Sequence, residues 1–323
     1  MRVRFGQFTP EWARLGHETR ELRWAPSSSV DVAGLSVRAL RLARWADVLV
    51  LCKPRMPPAV IGMLARVNRH VVVDTDDAIW AWNAESGRRF RHAIGRAGLV
   101  IVGSDALAEQ VRAMAPAGPV TCVRPAVDVA AYRPHEHTPG ERVVVGWIGG
   151  PGSLADFTDA AAGGLAQLVD GGAAELRIVC SEPLVRDGLR SSFVPWALAT
   201  EAAEVGAFTI GVMPLRDDAA ARGRCGLKAI QYMAAGIPVV ASPVGVASEL
   251  VEDGRTGFLV ETAAEWADAL GKLAADPDLR AAMGHRARER AGAELDRDPV
   301  ARRLARLFDP WGAGGGVAEG VRR

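Results

Sequence analysis

Cysteine is scarce in this sequence, and none of it is spaced for joint work. Cys52, Cys122, Cys180 and Cys225 are the four in 323 residues, with no CxxC pair. That spacing argues against a disulfide framework and a zinc ribbon, and predicts small buried thiols in or beside apolar runs. An excess of one charge is missing too: 39 Lys and Arg stand against 38 Asp and Glu. A strongly basic nucleic-acid-binding protein is therefore not expected. No apolar run approaches the roughly 20 residues that span a bilayer. The opening "MRVRFGQFTPEW" lacks the apolar core of a signal peptide. The expectation is a soluble cytoplasmic protein. There is no strict internal repeat, no GxGxxG fingerprint and no Walker loop.

What the chain does have is a recurring alternation. Short apolar runs at 46–51, 70–74, 98–103 and 120–123 are separated by helical segments. After the polar stretch "YRPHEHTPGER" (132–142) the rhythm restarts at 143–149, 175–180, 208–213, 237–242 and 256–260. Continuous apolar strands alternating with helices belong to parallel sheets covered on both faces. Two such series predict two doubly wound α/β domains, 1–137 and 138–290, followed by a C-terminal segment, 291–323, whose helix packs back on the first domain. "RVRF" is either the first strand or part of the loop that follows one, and the final "GAGGGVAEGVRR" is expected to lack fixed structure. The "HEH" of residues 135–137 reads as solvated loop histidines, with no metal site expected. Trp196 reads as core, or as the lining of a base pocket.

Three stretches concentrate anion chemistry. "RGRCGLKAIQYMAAGIPVV" predicts a helix starting after Gly223 and ending at Gly236. On it Arg224, Lys228 and Gln231 form a polar stripe beside the apolar Leu227, Ile230 and Ala234. Cations near a helix N-terminus oppose its dipole unless an anion sits there; the alternative is a solvated basic edge. "VVVGWIGGPGSLADF" runs from a strand through Gly149, Gly150 and Gly152 into a helix expected to be capped by Ser153, with Asp156 at its third position. Such a turn lets backbone amides approach a phosphate, or is simply a tight turn. "SPVG" (242–245) follows a third strand. All three would lie at the carboxyl edge of one sheet, and together they favour a phosphate ligand.

Residues 211–260, "GVMPLRDDAAARGRCGLKAIQYMAAGIPVVASPVGVASELVEDGRTGFLV", closely resemble the donor-binding half of GT-B glycosyltransferases, especially the large retaining family 4. "VVVGWIGGPGS" resembles the start of the same half. "VVVDTDDAIW", "LVIVGSDALAEQV" and "RPAVDVAAYRP" resemble pieces of the acceptor half and hinge. The resemblance implies two Rossmann-like domains facing a cleft, with a nucleoside-diphosphate sugar as donor and no cofactor or obligatory metal. It implies transfer of a hexose to the hydroxyl of a glycan, lipid-linked or small natural-product acceptor. It further implies that Arg224 and Lys228 hold the diphosphate, with Gly149, Gly150, Gly152, Ser153, Gln231, Val244, Gly245 and Glu249 completing the donor site. Many family members carry two glutamates where this chain has Gly223 and Gln231. An amide can still serve ribose hydroxyls, whereas the sugar-facing task would pass to Asp217 or Asp218. The matching expectation is a cytoplasmic enzyme, with peripheral attachment at the inner membrane surface as the alternative that a lipid-linked acceptor would call for.

Asp74, Asp76 and Asp77 end a strand, and their mutual repulsion calls for compensation. By the resemblance Asp76 or Asp77 would orient or deprotonate the acceptor; otherwise they cap a helix. Two rival functions stand beside transfer. One is a catalytically inactive nucleotide-sugar-binding partner. The other is a haloacid-dehalogenase-like phosphatase with Asp74 as nucleophile, Asp76 as acid/base and Mg²⁺.

Overall fold

The computed structural model describes residues 4–311, together with the backbone of 317–322. The residues divide into two compact units: 4–125 with 223–225, 297–311 and 317–322, and 126–222 with 226–296. The stretch 126–137, assigned to the first domain by sequence, belongs to the second unit.

Unit 1 holds strands β1 (Glu18–Thr19), β2 (Val48–Cys52), β3 (Val71–Thr75), β4 (Leu99–Val102), β5 (Val120–Cys122) and the late strand β12 (Val317–Arg322). Their order is β1-β12-β2-β3-β4-β5, parallel except for β1 with β12. Every residue of β3 and β4 is buried, and residues 71–73 and Leu99–Val102 read as continuous apolar runs. One expectation changes here. Residues 317–322 form a strand, while the rest of the tail expected to lack structure, 312–316 and 323, lies outside the described residues. Arg4 and Phe5 lie in a turn, and the remainder of the "RVRF" alternative falls outside the described residues. Strand β1 is too short to have carried a signal. The helix Arg297–Phe308 belongs to this unit and buries Val300, Ala301, Leu304, Ala305 and Phe308, with the Trp12 indole N–H donating to the Ala301 carbonyl at 2.9 Å.

Unit 2 holds β6 (Val143–Ile148), β7 (Ala174–Cys180), β8 (Ser192–Pro195), β9 (Ile210–Met213), β10 (Val239–Ala241) and β11 (Gly257–Leu259). All pairs are parallel, in the order β11-β10-β9-β6-β7-β8. This is the doubly wound order with its reversal between β6 and β9, where open α/β sheets collect ligands. Strand β8 escaped the sequence because its residues are mostly exposed. His135 and His137, expected in solvent, are packed inside this unit, their side chains 16% and 2% exposed. Trp196 is not core: it is 42% exposed and donates its indole N–H to Glu201.

The reversal point needs a bridge. Strands β6 and β9 pair only at Val145 with Ile210 and Gly146 with Gly211. Beyond that the Tyr232 hydroxyl spans the gap, accepting the Ile148 N–H at 3.1 Å and donating to the Val212 carbonyl at 3.3 Å. The ring lies against Gly211, where an added Cβ would fall 2.4 Å from it. Tyr232 is fully buried, and burial pushes its phenol above the ordinary range. Replacing Tyr232 by Phe leaves a buried N–H and a carbonyl unpaired. The expected cost is about 1–3 kcal/mol, read by denaturant unfolding with the fold retained. Wild-type stability in that variant would show that the bridge contributes nothing.

Candidate functional site

The loops after β6, β9 and β10 leave the carboxyl ends of three neighbouring parallel strands, so they share one edge of the unit 2 sheet. The edge is laced together: the Ser242 hydroxyl accepts the Leu215 N–H at 3.0 Å, and the Ser242 N–H reaches the Met213 carbonyl. Gly149 is glycine for a steric reason. A Cβ there would sit 2.7 Å from Lys228 Cε and 2.9 Å from the Trp147 ring. The Lys228 stem therefore crosses the glycine loop, and its ammonium lies 5.1 Å from the Trp147 ring centroid. Added Cβ atoms at Gly150 and Gly152 would meet only open space, so the loop presents bare backbone beside a cation. Across the edge, Gly245 takes a left-handed φ of 53° and packs against the Arg222 backbone, 3.0 Å from where its Cβ would stand. Val244 is buried, and Glu249 is half-buried with its carbonyl accepting from Arg290 at 3.0 Å.

Several expected details differ. The helix spans Leu227–Ala234, not 224–235, because Gly226 is left-handed (φ 67°) and abuts Leu250 and Val246. Arg224 therefore stands outside it, grouped with Gly223 and Cys225 in unit 1, and the three-residue stripe does not exist. Gln231 is 4% exposed and its amide donates to the Tyr132 hydroxyl at 3.1 Å, so it is part of the interior. Ser153 is not a cap: Pro151–Asp156 is a 3-10 turn whose N-cap position is Gly150, and the following helix Asp159–Asp170 is capped by Thr158. Asp156 is buried. Asp217 is exposed and bound in a fork by Arg222 at 2.6 and 2.9 Å, which lowers its pKa. Asp218 caps the next turn through the Ala221 N–H.

The aspartates of β3 gather a second group, inside unit 1. Asp74 is fully buried and held by the Arg4 guanidinium, which also donates to the Val123 carbonyl at 2.7 Å. Burial works against the Arg4 charge, but Asp74 holds the guanidinium above its ordinary value. A carboxylate clamped in this way has no free face to attack a phosphate, and the phosphatase reading fails. Asp76 and Asp77 do not cap the following 3-10 turn, Ile79–Ala81, whose N-cap position is Ala78. They share Lys53 instead, with Nζ 2.6 Å from Asp76 Oδ1 and also paired with Asp77.

Lys53 is the residue that sequence reasoning missed. It follows β2 with φ at 43°, a conformation costly for a side-chain-bearing residue, and its N–H donates to the Asp74 carbonyl at 2.8 Å. Burial opposes its charge, yet the two aspartates push its pKa up to about 12. One signal could have found it: the chain has three lysines, Lys53, Lys228 and Lys272, and two stand at these sites. Beside Lys53 lies a concavity of about 500 Å³ lined by Leu22, Trp24, Leu51, Cys52 and Met56. Cys225 donates to the Asp76 carbonyl and presses on Gly103, where an added Cβ would lie 2.1 Å from its sulfur. Burial raises the Cys225 thiol well above its usual range, so it stays protonated and able to donate.

The chain is similar to known proteins. Residues 153–276 match the family model for glycosyl transferases group 1. The D-inositol 3-phosphate glycosyltransferase of Corynebacterium jeikeium is 42% identical over 86 residues, 26% of this chain and 20% of the relative. That of Nocardia farcinica is 52% identical over 64 residues, 19% and 14% of the two chains. The matched stretch thus spans a fifth or less of these relatives' own length. Among solved structures, Anabaena HepE, crystallised with UDP and glucose, superposes with a TM-score of 0.63 at 18% identity, covering 88% of this chain and 84% of HepE. A glycosyltransferase from Rickettsia africae gives 0.67 at 11% identity, covering 91% and 85%. Among the described residues no helix is long and apolar enough to cross a membrane. The chain has the α/β fold of GT-B glycosyltransferases, and its 153–276 segment is of the group 1 type, resembling family 4.

Proposed function

We propose that this chain is a retaining glycosyltransferase that moves a hexose from a nucleoside-diphosphate sugar to an acceptor hydroxyl. The observation that carries the reading is Lys228 laid across Gly149, at the reversal point of the unit 2 sheet, beside glycines open to a ligand. Breaking the bond to the sugar places negative charge on the departing diphosphate. A fixed ammonium and bare amides stabilise that charge more than they stabilise the intact donor, which lowers the barrier. In this reading Arg224 adds a second cation, and backbone at Val244 and Gly245 completes the cradle. Asp76, held by Lys53, orients the acceptor. HepE has been solved with UDP and glucose, and that pairing supports a uridine donor here. The reading asks for no catalytic metal, and keeps a cytoplasmic location.

One observation favours a second reading. Gln231 is committed to Tyr132 and Asp217 to Arg222, at the positions to which the sugar and ribose contacts were assigned. A chain that binds the donor without turnover, in support of another transferase, fits those commitments.

Thermal unfolding with UDP, GDP and ADP, each with and without Mg²⁺, should show stabilisation by one diphosphate that does not depend on the metal. Lys228→Ala should weaken that diphosphate roughly 10–100-fold, the worth of one charge-assisted hydrogen bond of about 1.5–3 kcal/mol, and leave the nucleoside unchanged. Equal losses for both ligands would remove Lys228 from the phosphate site. Gly149→Ala should reproduce the loss, since its methyl group displaces the lysine stem. Asp76→Asn should keep donor affinity and lower transfer of labelled sugar. Tight donor binding with no transfer to any acceptor tested would favour the binding-partner reading.

A further inference from the structure

Just before β6, away from the phosphate edge, His135, His137 and Glu141 of unit 2 converge, their ligating atoms all within 4.8 Å of one another. The tautomers follow from the partners. His135 Nδ1 lies 3.0 Å from the Gly206 carbonyl, and His137 Nε2 lies 3.2 Å from the Gly236 carbonyl. A carbonyl oxygen only accepts, so both of these nitrogens carry hydrogen. In a neutral imidazole the other nitrogen is then a bare lone pair. Those two lone pairs face one carboxylate: His135 Nε2 is 2.9 Å from Glu141 Oε2, and His137 Nδ1 is 3.7 Å from Oε1.

A lone pair against a carboxylate oxygen repels it unless a cation lies between them. The His137 side chain is 2% exposed, and its Nδ1 is buried without a hydrogen-bond partner. Glu141 is held in place from behind, since Oε1 accepts from Arg280 at 2.6 Å and from the Thr138 N–H at 3.2 Å, which turns Oε2 toward the histidines.

We propose that His135 Nε2, His137 Nδ1 and Glu141 Oε2 bind a zinc-class divalent ion, with water as the fourth ligand. Two imidazoles and one carboxylate suit Zn²⁺ rather than the all-oxygen preferences of Ca²⁺ and Mg²⁺. The N–H bonds to Gly206 and Gly236, and the Arg280 and Thr138 bonds to Glu141, are the outer contacts that fix ligand orientation in metal sites. The surroundings are tight: a Cβ on Gly284 would lie 1.9 Å from the Gly236 carbonyl oxygen and 3.4 Å from His137 Nε2. The ion pins the segment leading into β6 to the end of the helix Leu227–Ala234 and to the helix Pro277–Arg290. Its role is structural and separate from sugar transfer.

The test uses the untagged full chain, stripped with chelator and titrated with Zn²⁺ alone or Co²⁺ alone. Retention of one zinc per chain after desalting, a higher Tm with zinc, and visible cobalt absorption of a four-coordinate site are expected. His137→Ala and Glu141→Gln should lose stoichiometric binding, whereas His285→Ala, on an exposed helix face, should retain it. If neither ion binds wild type and chelator leaves its Tm unchanged, a proton rather than a metal bridges His135 and Glu141 and the proposal is overturned. Binding that persists equally in both ligand variants would also overturn it. The wild-type cobalt spectrum decides the matter even if a variant does not fold.

Discussion

Two strands that must part hold the second unit of this molecule together. Strands β6 and β9 run side by side for two residue pairs and then separate, because the chain winds away from them in opposite directions. Separation leaves backbone groups unpaired in a buried place, and the Tyr232 hydroxyl satisfies one on each strand. Everything at the carboxyl edge of this sheet depends on that solution. The opening between the strands is where the glycine loop and the Lys228 stem lie, and Tyr232 sits on the same helix as Lys228. Gly211 and Gly146 are small for the same reason, giving room to the rings of Tyr232 and Phe208. One buried phenol thus sets both the packing behind the edge and the position of the cation on it.

In the other unit the governing constraint is charge. Three carboxylates within four residues at the end of β3 could not persist together without partners. Arg4 neutralises the buried one, and Lys53 bridges the two nearer the surface. The strained backbone at Lys53 is tolerated because its N–H also closes on the Asp74 carbonyl. Compensation differentiates the aspartates: Asp74 becomes structural, while Asp76 and Asp77 share Lys53, which lines the concavity. The same clamp removes Asp74 from nucleophilic chemistry, so electrostatics decides between functions that the string "DTDD" alone leaves open.

The parallel α/β architecture was legible because its signal is local. Buried parallel strands are continuous apolar runs, and nine such runs appear as β2–β7 and β9–β11. The strands that escaped are a two-residue edge strand, the mostly exposed β8, and β12 in the tail, where no run of apolar residues marks a strand. The glycine loop and Lys228 were also legible, since glycine after a strand and a cation after Gly226 are visible as letters. Arg224 and Gln231 were placed on a polar helical stripe by counting at 100° per residue. The count failed because Gly226 adopts a left-handed conformation imposed by Leu250 and Val246, which lie some twenty residues away in sequence.

By itself, then, the sequence determined the fold class, the succession of the nine apolar strands, and the glycine-rich turn after β6. These depend on hydrophobic periodicity and on glycine, both read from neighbouring residues. Only the tertiary structure decided which charges meet. Arg4 reaches Asp74 across seventy residues, Arg280 reaches Glu141 across 139, and Gln231 turns inward to Tyr132 across 99. Such pairings carry no local pattern, because a salt bridge or a buried hydrogen bond is fixed by where the packed core brings side chains together, not by their spacing along the chain.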